Sequence, residues 1–287
     1  MSEQQRHLDW GKCVNVRDVG DLRTQNGGRT VMGRIVRSDN PGLLTEDGRT
    51  ALENYGIKTV IWLKSAGEPT DGSESPSVAG LEVRTIIVED LNDPQFVSLC
   101  VETGLWCTPL YFPLMLMHWP SVCAQIVSAV ATAEPGGVIV SCLRGRDRTG
   151  LAIFLLLALA QVEPEEIAAD WNLSVTRLES KIPSYAQLLA DLLAENGTSV
   201  ADSIRETCKR FQVAEYLVSH GLKRDDLRRV RQRLLGTEHE RQDSRCIATR
   251  VLTACQRPAG EIGSRGPSLQ ARIRLAAPLS RNVCADD

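Results

Sequence analysis

Apolar positions along the chain follow two spacings. Lys58-Thr-Val-Ile-Trp-Leu63 and Val138-Ile-Val140 are nearly unbroken apolar runs of strand length, the pattern of strands covered on both faces of a sheet. Gly33-Arg-Ile-Val-Arg37 alternates as a strand does, Glu82-Val-Arg-Thr-Ile-Ile-Val88 reads as a further strand, and Asn26-Gly27-Gly28 is a hairpin signal. Helical segments lie between. One covers 45–56, with Thr45 as N-cap and Gly56 as the stop. Residues 120–133 carry Pro120 in the first turn and are ended by Glu134-Pro-Gly-Gly137, and an apolar helix runs from Thr149 to Gln161. From 164 to 235 the pattern is helical throughout: one helix opens at Pro164, and others cover 183–195, 200–219 and 224–235. Strands alternating with helices predict an α/β fold, a mostly parallel central sheet with helices on both faces, followed by a C-terminal helical part.

Composition narrows the class. The 287 residues are 43% hydrophobic, enough for a good-sized core, and the formal net charge is −3. Neither nucleic acid nor an anionic membrane is the default partner of such a chain. The longest apolar run, Leu151 to Ala160, is about half of what a bilayer span needs, so no stable membrane insertion is expected. Residues 1–15 are polar, without a charged-then-apolar leader, and a cytoplasmic protein is the expectation. The oligomeric state leaves no mark in the sequence.

Nine cysteines form an odd set without a C-x-x-C pair, which reads as buried small side chains in a reducing compartment. Four histidines (His7, His118, His220, His239) show no ligand spacing, so neither metal nor cofactor is expected. After Gly236 the chain changes character. Residues 237–287 lack Phe, Trp, Tyr and Lys and carry eight arginines against six acids. They read as a disordered tail on a domain of residues 1–236, an arm for an anionic surface being the alternative.

Cys142 stands apart because of its neighbours, Val140-Ser-Cys-Leu-Arg-Gly-Arg-Asp-Arg-Thr-Gly150. A strand, this loop and then a helix make an anion site by simple mechanics. Successive main-chain N–H groups from Leu143, Arg144, Gly145, Arg146, Asp147 and Arg148 converge as a nest, and the helix points its positive end at the same place. Gly145 permits the tight turn, and Arg148 returns over the loop to grip two phosphate oxygens through its planar fork. The same positive field favours the thiolate, the nucleophilic form of Cys142. Phosphoryl transfer asks for positioning and charge stabilisation, which such a loop supplies. The segment lacks the G-x-x-x-x-G-K-[ST] pattern of a nucleotide-binding loop.

Cys142-x5-Arg148-Thr149-Gly150 resembles the signature of the protein-tyrosine-phosphatase superfamily, in the form found in its bacterial atypical tyrosine and phosphoinositide phosphatases. Asn15-Val-Arg-Asp-Val-Gly20 is similar to that group's N-x-R-D-x-G box, and Gly33-Arg-Ile-Val-Arg-Ser-Asp39 to its G-x-x-x-R-S strand. Thr59-Val-Ile-Trp-Leu-Lys-Ser65 stands where the group reads V-I-D-L-R-S, so Trp62 and Lys64 replace Asp and Arg, and Ser141 replaces the His before the cysteine. The resemblance covers residues 12–235. It implies a phosphomonoester hydrolase acting on phosphotyrosine, with phosphoinositides as further substrates, through a cysteinyl-phosphate. Cys142 would be the nucleophile, Arg148 the clamp and Asp147 the proton donor, the alternative for Asp147 being a plain pairing with Arg144, Arg146 or Arg17. Asp90 and Asp93 are rival acids. Arg17 and Asp18 would brace the loop or form a plain salt bridge. Thr149 would serve the sulfur or simply open the helix. The region from Trp106 to Trp119 reads as core or as a wall of the substrate groove, and the helices beyond 171 as a lid. Ser141 and Trp62 favour the alternative, a pseudo-phosphatase that binds phosphorylated ligands with little turnover.

Overall fold

The computed structural model describes residues 6–68, 80–179, 182 and 184–236. These belong to a unit spanning Met1–Arg241, and the tail expected over 237–287 lies outside the described residues.

Five strands form one sheet in the order β1-β2-β5-β3-β4. They are β1 Arg17–Asp18, β2 Ile35–Ser38, β3 Ile57–Ala66, β4 Glu82–Asp90 and β5 Gly137–Ser141. Only the short β1 runs antiparallel, against β2; the other pairings are parallel. The apolar run of β5 is buried at every position and sits at the centre of the order, where both faces are covered. On one face Val36, Ile57 and Ile139 pack with Trp10, Leu44 and Leu52 of the N-terminal segment and of helix α1, Glu46–Asn54. On the other, Ile35, Ile61, Val138 and Val140 meet the main core. Adjacent β5 residues thus serve opposite faces, as the period of a strand requires.

The main core is built by helices α2 Tyr111–His118, α3 Pro120–Ala131, α4 Asp147–Leu159 and α5 Pro164–Leu178. After these come α6 Tyr185–Glu195, α7 Val200–Phe211, α8 Val213–Ser219 and α9 Arg224–Leu235. No single helix among the described residues is long and apolar enough to cross a membrane. Helix α4 is apolar all round because it is buried all round, from Leu151 to Leu157. The hairpin at Asn26 is present, its ends joined by the Thr24 and Gly28 backbones, and Thr45 caps α1 by accepting from the Gly48 amide.

The helix expected over 200–219 is two helices. Gln212 adopts the left-handed conformation, φ 42°, where α7 ends, and Phe211 folds edge-on against the Tyr216 ring at 5.0 Å. A glutamine gives no sequence signal for such a break, which glycine would have given. The segment from Trp106 to Trp119 is core: Tyr111, Phe112, Met115 and Leu116 are buried, and Phe96 gathers Trp106, Tyr111 and Trp119 edge-on.

Leu155 lies at the middle of α4 with no exposed surface. Leu155→Ala is expected to cost about 2–5 kcal/mol, since the packed sheet and α3 leave little room to collapse. Urea unfolding of the variant should show a lower midpoint at an unchanged slope.

Candidate active site

The parallel strands β2, β5, β3 and β4 end at one edge of the sheet, the place where open α/β sheets hold ligands. Here β5 gives way at Cys142 to a turn that lasts until α4 begins at Asp147. Gly145 makes the turn possible. Its φ is 65°, and a β-carbon there would stand 2.5 Å from the Ser38 carbonyl oxygen and 2.6 Å from the Asp39 nitrogen.

The loop is tied from outside by its carbonyls. Asn15 Nδ2 donates to the Arg144 and Gly145 oxygens at 3.1 and 2.9 Å, and Arg37 Nη2 to the Gly145 oxygen at 2.8 Å. The C=O and the following N–H of a trans peptide point opposite ways. Fixing these carbonyls outward therefore turns the Gly145 and Arg146 amides into the hollow of the loop. Among the described residues nothing accepts from the main-chain N–H groups of 143–146. With the first turn of α4 they form a nest for an anion.

Both ties lead back to Asp170 of α5, 1% exposed. Arg37 Nη1 donates to Asp170 Oδ2 at 2.7 Å, Arg17 Nε to Oδ1 at 2.9 Å and Arg6 Nη1 to Oδ1 at 3.1 Å. Arg17 also holds the Asn15 side-chain oxygen at 2.6 Å and Ser174 Oγ at 3.0 Å. Burial alone would raise the Asp170 carboxyl; the three guanidinium groups outweigh it and hold the acid well below the usual carboxylate range. Asp18 lies apart from this knot. Its carboxylate accepts from the Gly20 and Gly33 amides and the Tyr55 hydroxyl, bracing the chain around β1 and β2 rather than the loop.

Cys142 is 2% exposed at the base of the loop. Arg148, the first turn of α4 later, is clamped by two carboxylates. Nη1 and Nη2 donate to Glu68 at 2.8 and 2.7 Å, Nη1 also to the Leu63 carbonyl at 3.2 Å, and Nε stands 3.3 Å from Glu89. Burial would lower the guanidinium; the Glu68 hydrogen bonds and the charges of Cys142 and Glu89 hold it above its ordinary value. Glu68 takes the Nη1–Nη2 edge of the fork and Glu89 stands beside Nε, so an anion at this arginine would share the guanidinium with both carboxylates. Glu89 is deeply buried, accepting from Ser65 Oγ at 2.6 Å and Tyr111 at 3.1 Å. Burial pushes its carboxyl up to about 7 against the pull of Arg148.

The remaining loop residues divide. Arg144 is exposed, and Leu143 is half-buried. Arg146 is buried and pairs with Asp147 through both oxygens, at 2.7 and 3.1 Å. Thr149 Oγ1 is buried with no partner among the described residues. The rival acids are occupied locally: Asp90 accepts from Asn92, and Asp93 caps the turn at Gln95. Ser141 and Trp62 are direct neighbours across β5 and β3, both fully buried, so the small side chain lies beside the large one.

Glu68, Glu89 and Asp170 escaped the sequence reading. Asp170 did leave a trace: with Ser174 it interrupts the apolar stripe of Ile167, Ala168, Trp171 and Leu178 on α5.

Residues 8–236 match the model of a family described as the tyrosine phosphatase family. A tyrosine-protein phosphatase of Nostoc commune is 30% identical over 157 residues, 51% of this chain and 50% of the relative. The triple specificity protein phosphatase PtpB of Mycobacterium tuberculosis is 25% identical over 204 residues, 60% of this chain and 72% of the relative. A Cupriavidus necator protein named for the same family is 27% identical over 177 residues, 59% of this chain and 64% of its own length.

Two pH dependences of opposite sign follow from the carboxyls. Asp170, with its lowered folded value, stabilises the fold fully above its unfolded value of about 3.9, and that contribution is lost as pH falls below it. Asp170→Asn should cost about 3–5 kcal/mol at neutral pH, because three buried arginines lose their counter-charge. It should also flatten the fall of the urea midpoint between about pH 4 and pH 2. Glu89 acts the other way. Its raised folded value gives stability that is present below about 4.3, the unfolded value, and lost as pH rises through about 7. Comparing urea midpoints at pH 5 and pH 8 should therefore show a smaller decline in Glu89→Gln than in the wild type.

Proposed function

This chain belongs to the tyrosine phosphatase family, and from that premise we propose that it is a cysteine-dependent phosphatase of phosphomonoesters, with phosphotyrosine as the first substrate. The loop supports the reading: its amides have no acceptor among the described residues, the Arg144 and Gly145 carbonyls are tied back, and Cys142 and Arg148 stand at its two ends.

In this reading the amides and Arg148 bind the phosphate oxygens and hold phosphorus for in-line attack. The Cys142 thiolate forms the S–P bond as the P–O bond to the substrate breaks, and Asp147 gives its proton to the departing oxygen. Water then attacks phosphorus, Asp147 takes up the proton, and the thiolate leaves with phosphate set free. Asp147 is preferred over Asp90 and Asp93 because it opens α4 within the loop itself, whereas those two serve local turns. The exposed positive charge of Arg144 at the loop supports phosphoinositides as further substrates, in keeping with a relative named for triple specificity. A thiolate nucleophile is protected in a reducing compartment, and the cytoplasm is the proposed location.

The reading is tested with p-nitrophenyl phosphate in EDTA. Wild-type turnover should persist with the chelator and be blocked by vanadate, and Cys142→Ser should abolish it while still binding a phosphopeptide. Wild-type protein that binds the phosphopeptide without turnover would instead identify the pseudo-phosphatase. Asp147→Asn should slow a phosphotyrosine peptide about a hundredfold but the activated aryl ester far less, since a proton donor matters most for a poor leaving group. Equal slowing of both would make Asp147 structural.

A further inference from the structure

Arg146 precedes α4 and is 2% exposed, and each part of its guanidinium meets a different surrounding. One edge, Nε and Nη2, donates to the two oxygens of Asp147 at 2.7 and 3.1 Å. One face lies 3.9 Å from the centroid of the Tyr185 ring. The far nitrogen, Nη1, is buried with no acceptor among the described residues. Tyr185 is itself fixed: it opens α6, is 3% exposed and donates its hydroxyl to the Cys107 carbonyl at 2.6 Å.

A carboxyl whose oxygens each accept one bond from a guanidinium keeps a further lone pair on each, but that guanidinium fixes its plane. The place of Arg146 therefore decides how Asp147 is presented. The aromatic shelf restrains the guanidinium to its own plane, because the cation is attracted to the ring face and lifting it off costs that attraction. Within that plane Nη1 has no oxygen acceptor among the described residues, and the Cys107 thiol is the other group in hydrogen-bonding reach of the guanidinium. The charged and titratable groups around Asp147 are Arg146, Cys107 and Tyr185, with Arg144 acting on Cys107 from the same side.

We propose that Tyr185 is a positioning residue for Asp147: its ring holds Arg146, whose two hydrogen bonds orient the acid's carboxyl, so that helix α6 governs leaving-group protonation. The proposal rests on Asp147 being the proton donor of the phosphatase reaction.

The test compares Tyr185→Leu, which removes the π face, with Tyr185→Phe, which keeps it and loses only the hydroxyl bond. For Tyr185→Leu, kcat on phenyl phosphate should fall about tenfold while kcat on p-nitrophenyl phosphate stays within about twofold. Tyr185→Phe should match the wild type on both, and Tyr185→Trp should restore what Tyr185→Leu loses. In parallel, carbon-13 NMR of the aspartate carboxyls, with the Asp147 signal assigned by its absence in Asp147→Asn, should show its titration midpoint moved in Tyr185→Leu and unmoved in Tyr185→Phe. Equal slowing of both esters by Tyr185→Leu, or an Asp147 titration that ignores the substitution, overturns the proposal. Should the wild type hydrolyse neither ester, the phosphatase reading is what fails, and the carboxyl titration alone then decides whether Tyr185 positions Asp147.

Discussion

A single buried carboxylate, Asp170, holds the site in shape. Three arginines from the N-terminal segment, β1 and β2 converge on it, and two of them reach onward to the loop, Arg37 directly and Arg17 through Asn15. A loop that must expose its amides has to surrender its carbonyls to something else, and this knot is that something. Neutralising a set of buried cations with one anion is costly unless the donors are matched; here further donors find Ser174, the Asp18 carbonyl and the Asp170 carbonyl, while Arg37 Nε is buried without a partner among the described residues. The helix following the loop helix thus sets the shape of the loop from behind.

Around the anion hollow the charges are arranged in layers. Arg148 is held between Glu68 and Glu89, which fix the plane of its guanidinium. Burial raises the Glu89 carboxyl against the pull of that cation. On the opposite flank Arg146 is spent on Asp147 and Tyr185, and only Arg144 projects its charge into solvent. A loop containing three arginines therefore pairs one with Glu68 and Glu89, pairs one with Asp147, and leaves one exposed.

Much of this was legible from the chain. The apolar run before Cys142, the glycine at mid-loop and the arginine at the right spacing imply the nest by mechanics alone, and the strand and helix periods gave the sheet and its covering. Glu89 shows where such reading stops. Alternation along β4 puts Ile86 and Val88 inward and Ile87 outward, which would send Glu89 outward too. The pairing with β3 slips between Lys64 and Ser65, so that Val88 is skipped and Glu89 turns inward to Arg148. A register shift of that kind belongs to two strands at once and is written in neither. Tyr185 was hidden for a related reason: its role depends on a stacking partner far away in the chain, and a tyrosine at a helix start reads as ordinary core.

The two departures from the phosphatase pattern look independent when read along the chain, yet Ser141 and Trp62 face each other in register across β5 and β3, both fully buried. A larger residue at 141 competes with the indole for space, and a smaller one at 62 alone leaves a void. Exchanging either residue by itself therefore carries a packing cost that exchanging both together relieves.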